Sequence, residues 1–115
     1  MPLTMNDREL AFEAKFAHDE EFRFLVSARR DKLFARWAAT KLDLSEDDAA
    51  ALVTSVLAIP DRLDHDHALL SRIADVMAEH GYPAATTELA TVLDDTARQA
   101  RQQLLEAPIE HPGAP

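Results

Sequence analysis

An all-α fold, a four-helix bundle with a long first helix whose N-terminal part projects or bends away, is what the sequence predicts. Three observations carry it. Apolar residues recur at helical spacing in four separate stretches, while only two glycines are available for tight turns and few residues are β-branched. Capping residues and prolines fall at the ends of those stretches. The chain has 115 residues, 47% of them hydrophobic, enough for one domain with its own core.

The first element is expected from about Asp7 to Lys41. Asn6 and Glu9 have capping-box spacing, in which each side chain can satisfy the other's free backbone N–H. Phe22, Val26, Arg29, Leu33 and Trp37 fall on one stripe, and Phe24, Ala28, Ala35 and Ala38 lie near a second. Two apolar faces suit a helix at the centre of a bundle, with Trp37 as its core anchor. Thirty-five residues would extend about 50 Å at 1.5 Å per residue, so a projecting end or a bend is expected. Asp19-Glu20-Glu21 marks the place, since carboxylates favour a helix's first turn, and a bend or loss of order is expected at His18-Asp19.

Ser45 caps the second helix, with Asp48 in the reciprocal position, and Leu52, Val53, Val56 and Leu57 form its inner face before Pro60 ends it. The third is expected from about Asp66 to His80, with Leu69, Leu70, Ile73, Val76 and Met77 inward. Gly81 supplies the left-handed residue after its end, and Pro83 follows. Thr86 or Thr87 opens the fourth, whose stripe of Leu89, Val92, Leu93, Thr96, Ala100 and Leu104 runs to about Glu106. Pro108, Pro112, Gly113 and Pro115 argue against regular structure in the tail. The expected domains are an arm over 1–18, a bundle over 19–107 and a disordered tail over 108–115.

Charge excludes some functions and suggests others. The net charge of −9 opposes nucleic-acid binding through phosphates. Residues 1–21 are net −4, residues 22–42 net +5 and residues 43–115 net −10. A basic helix resting on an acidic bundle accounts for this pattern, and so does steering of a partner onto the N-terminal arm. Without cysteine there are no disulfides and no thiolate chemistry, which fits a reducing, cytoplasmic setting. No apolar run reaches the ~18 residues of a membrane span, and no signal peptide opens the chain.

No catalytic constellation emerges, and an enzyme is not expected. Ser27, Ser45, Ser55 and Ser71 lack a nucleophile motif. Asp64-His65-Asp66-His67 contains potential metal ligands. Alternation does not gather four of them on one ion, however, and the stretch reads as a solvated linker with aspartates capping a helix start. His18 sits between charged residues as an exposed imidazole or as a pH-sensitive joint. Arg29 and Arg30 suit surface ion pairs or a phosphate contact.

The arm holds the most specific signal. Four of the five phenylalanines, Phe12, Phe16, Phe22 and Phe24, fall in the first 24 residues. Phe12 and Phe16, four apart, share a helix face. They either fold back on the bundle or are kept for a partner. The run Asp7-Arg8-Glu9, Ala11-Phe12-Glu13, Lys15-Phe16-Ala17-His18-Asp19-Glu20-Glu21 resembles the signature of the zeta subunit family, the alphaproteobacterial inhibitors of F1-ATPase. The likeness continues through Arg23-Phe24, Ala28-Arg29-Arg30, Lys32-Leu33, Trp37-Ala38-Ala39 and Lys41-Leu42. Met5-Asn6 stand where the family usually has Phe and Asp, Leu25-Val26 where Lys-Ala is common, and Asp43 where Gly is frequent.

The resemblance implies a mobile arm that enters the α/β catalytic interface of F1 and blocks rotation in the hydrolysis direction. On that basis Met5, Phe12 and Phe16 are the expected apolar anchors, and Asn6, Asp7, Arg8, Glu9, Glu13 and Lys15 the expected polar contacts. The partners implied are the F1 α/β subunits, with the protein a monomer when free and reaching the membrane only through ATP synthase. No cofactor is expected beyond weak ATP or ADP binding, for which Arg29, Arg30 and Arg36 are candidates. The alternative is an adenine-nucleotide-binding or adaptor bundle without effect on F1.

Overall fold

A computed structural model describes the backbone of residues 5–106 and the side chains of residues 19–106. Four helices follow in order: α1 (Met5–Lys41), α2 (Glu46–Leu57), α3 (His65–Glu79) and α4 (Thr86–Glu106). The four-helix bundle expected from the sequence is the architecture found. Helix α1 contacts each of the other three, and α3 also packs on α4. At 37 residues α1 is about 55 Å long. It continues through His18-Asp19, and Asn6 already lies inside it.

The core lies along one stripe of α1, where Phe34, Ala35 and Ala38 are wholly buried and Ala39 nearly so. Leu52 and Val56 from α2 meet it, with Leu69, Ile73 and Met77 from α3 and Leu89, Leu93 and Ala100 from α4. Small alanines on α1 allow the neighbouring helices to approach, and Phe34 fills the space between them. Its ring stacks on Trp37, with centroids 6.1 Å apart and planes 12° from parallel. Trp37 itself is only half-buried, so Phe34 takes the anchoring place expected of Trp37.

Phe22 and Phe24 separate in the structure. The Arg101 guanidinium of α4 lies 5.5 Å from the centre of the Phe22 ring, a cation–π contact that ties the two helices. Phe24 is 62% exposed. It continues the same face as Ala35 and Ala38 by helical phase, yet near it α2 has run out into the loop at Leu57–Pro60. Helix α1 therefore carries its inward stripe past the end of α2.

Turn chemistry sets the helix ends. Ser45 Oγ accepts from the Asp48 backbone N–H at 3.1 Å, capping α2 as expected. Two helices close in the same way. After α1, Leu44 N–H donates to the Ala39 carbonyl at 3.0 Å and Asp43 N–H to that of Thr40 at 3.2 Å. After α3, Tyr82 donates to Met77 at 2.8 Å and Gly81 to Ala78 at 3.0 Å. Both are Schellman closures, which need a left-handed residue at the turn. Gly81 meets that need at φ 81°, whereas Asp43 meets it at φ 53° with a Cβ in place. Leu44 and Tyr82 then fold back onto the core.

The strain at Asp43 yields a prediction. Asp43→Gly is expected to stabilise the protein by about 1 kcal/mol, because the left-handed conformation costs an L-residue roughly 1–2 kcal/mol and glycine's greater unfolded freedom returns part of that. Urea denaturation of the two proteins checks it, and a destabilised glycine variant would show that the aspartate side chain contributes more than the strain.

Candidate functional site

The nine arm residues singled out in the sequence, Met5, Asn6, Asp7, Arg8, Glu9, Phe12, Glu13, Lys15 and Phe16, all fall on the first four turns of α1. Their side chains, and that of His18, lie outside the described residues, as does the tail 108–115. Among the described side chains of α1, Phe22 lies against Arg101 of α4.

Of the three arginines considered for a phosphate, Arg30 is already committed. Its Nη2 and Nη1 donate to the two Asp66 oxygens at 2.7 and 3.3 Å, and its Nε donates to Asp31 Oδ1 at 2.9 Å. Its side chain is only 14% exposed, and it serves as a rivet between α1 and α3. Arg29 donates to Gln103 Oε1 on α4 at 3.1 Å. Arg36 borders a groove of about 390 Å³ with Arg29, Lys32, Leu25, Leu57 and Leu104. That groove places three cations beside apolar carbons on an otherwise acidic protein.

The larger concavity, about 610 Å³, lies between α1 and the α2–α3 loop. Phe24, Leu57, Ile59 and Pro60 give it apolar walls, and Asp31 and His65 lie at its inner end. Asp31 is 4% exposed, a carboxylate on the buried stripe of α1 one turn before Phe34 and Ala35. Its Oδ2 faces His65 Nε2 at 2.7 Å while Oδ1 takes Arg30. The other ring nitrogen of His65, Nδ1, faces the Pro60 carbonyl at 3.0 Å. Burial lowers the His65 pKa, but the hydrogen bonds with Pro60 and Asp31 and the Asp31 charge outweigh both that and the opposing charge of Arg30. The net shift is upward from the ordinary imidazole value.

This network corrects the reading of Asp64–His67 as a solvated linker. Asp64 makes no side-chain cap bond at the start of α3, and the helix instead begins with His65 and Asp66 turned to α1. Asp31 was the missed residue. Its signal was its phase, since a lone acid on the stripe of Phe34, Ala35 and Ala38 must find a cation. Among the described residues no group of three or more His, Asp or Glu is placed to hold a metal ion. No helix among them is long and apolar enough to cross a membrane.

The family model for ATPase inhibitor subunit zeta matches residues 2–103, arm and bundle together. The chain belongs to that family. Neither a curated protein nor a solved structure matches it. Membership in the zeta family covers α1 through nearly all of α4, and it assigns the protein to a set described as inhibitor subunits of an ATPase.

Proposed function

We propose that the protein inhibits the F1 part of ATP synthase by inserting an arm, residues 1–18, at the α/β catalytic interface, so that ATP hydrolysis stops. The observation that carries this reading is the family match, which runs unbroken from residue 2 across the arm and into the bundle. The course of α1 supports it. An arm that is already helical needs less ordering on binding than a random segment, which would lose about 1–2 kcal/mol per residue in backbone entropy. Residues 19–107 form the bundle that holds the arm, and residues 108–115 a tail outside it. Acting from the aqueous side on F1, the protein works as a regulator rather than as a catalyst.

In this mechanism Met5, Phe12 and Phe16 are the anchors that exclude water from the interface. Asp7, Arg8, Glu9, Glu13 and Lys15 fix register through charge pairs, with Asn6 beside them. Charged contacts of this kind set orientation and rate of encounter more than affinity. The adaptor or nucleotide-binding alternative loses one of its candidates, because Arg30 is engaged by two carboxylates.

Deleting residues 1–18 is expected to abolish inhibition of ATP hydrolysis by F1 from the same source, while circular dichroism still reports the bundle's helices. Equal inhibition by the truncated and full-length proteins would refute the arm mechanism.

A further inference from the structure

We propose that His65 is a proton-operated clasp: as an imidazolium it pins the α2–α3 loop to α1, and on losing its proton it lets the loop go. The ring's donors and acceptors match its neighbours in only one protonation state. A neutral imidazole has one N–H and one lone pair, whereas an imidazolium has two N–H donors. Both ring nitrogens of His65 face groups that only accept, Nε2 the Asp31 carboxylate at 2.7 Å and Nδ1 the Pro60 carbonyl at 3.0 Å. A neutral ring can satisfy one of these contacts and must set a lone pair against an oxygen at the other. Asp31 Oδ1 already accepts from the Arg30 guanidinium and Oδ2 is left to face the ring, so a second ring N–H satisfies both acceptors at once.

Charged groups reach the surroundings of His65 from α1, the α2–α3 loop and α3. Helix α1 presents Asp31 and Arg30 directly, with Glu20 and Arg23 farther along the same groove. The loop contributes Asp61 and the Pro60 carbonyl, while α2 brings only Leu57 and Ala58. From α3, Asp66 acts through Arg30. Helix α4 lends no residue to this groove. Of these, only Arg30 and Arg23 oppose a charge on His65, and Arg30 is offset by two carboxylates. The ring is 12% exposed, so water replaces a lost contact poorly.

Released from Pro60, the segment Ile59–Asp61 is held only by the packing of Ile59 on the core, and Pro60 and Asp61 can move off α1. That segment is one wall of the 610 Å³ groove, whose other wall is the α1 face bearing Phe24. Loss of the proton therefore both widens the groove and makes it more negative. The sign follows from the upward shift. The clasp is fully closed below the pKa of free imidazole and is lost as pH rises through the higher value His65 has in the fold.

The test uses the full-length protein with labelled histidine. Imidazole nitrogen shifts are expected to show a His65 midpoint above that of free imidazole, with both ring nitrogens protonated below it. Arg62 and His65 amides, which close the loop through the Pro60 and Arg62 carbonyls, report the opening. Corrected for intrinsic chemistry, their protection against exchange should fall by about tenfold for each unit by which the folded midpoint exceeds the free one. In His65→Gln the pH dependence should vanish. If that variant does not fold, the wild-type titration and exchange decide alone. A His65 midpoint at or below that of free imidazole, or loop protection that does not change with pH, overturns the clasp.

Discussion

Phe34→Ala is expected to destabilise the protein by about 4 kcal/mol, lowering its melting temperature by roughly 15–20 °C. Phe34 is wholly buried and lies in the core where α1 meets the other helices. Truncation removes the ring's transfer energy and leaves a cavity lined by residues of rigid helices, which collapse poorly. A loss of this size is a large share of the 5–15 kcal/mol that holds a typical domain together. Trp37→Ala should cost less despite the larger ring, because Trp37 is half in solvent. Guanidinium denaturation of both variants checks the order. A costlier loss at Trp37 would place the core on the wrong side of the stacked pair.

Phe12→Ala with Phe16→Ala is expected to raise the concentration needed for half-inhibition of F1 on the order of a thousandfold. Aromatic anchors buried in a partner's pocket commonly contribute 2 kcal/mol or more each, and two of them one turn apart would fill neighbouring pockets. On the proposed mechanism both rings face the partner and not the bundle, so the melting temperature should stay at the wild-type value. ATPase titrations and thermal melts on the same preparations separate the outcomes. Full inhibition by the double variant would mean that the arm's charges, and not its rings, hold it. A lowered melting temperature would mean that the two rings fold back on the bundle.

Helix positions were legible because caps and breakers are local. Ser45, Pro60, Gly81 and Pro83 act through their own backbone and that of near neighbours, so their effect can be read from a few residues of sequence. What a face touches is not local. Trp37 and Phe34 both lie among apolar residues of α1, and the choice between them depends on where α3 and α4 cross, which apolar spacing does not state. Phe24 illustrates the same point from the other side, for its phase is inward but the loop after α2 stops short of covering it. The Asp31–His65 contact joins residues 34 apart, and no spacing rule within one helix points to it. The zeta-family motif was readable for a different reason, since a dense run of specific residues identifies a family without any knowledge of packing.

The unbroken course of α1 through His18-Asp19 makes the molecule a lever with a fixed rotational phase. With 3.6 residues per turn, one residue inserted after position 18 would twist the bundle about 100° against the first turns of the helix and push it about 1.5 Å farther out. A loop at that point would have absorbed such a change; a rod transmits it. Whatever grips the outer turns of α1 thereby also dictates the azimuth at which Phe24, the His65 loop and the Arg29–Arg36 groove are displayed.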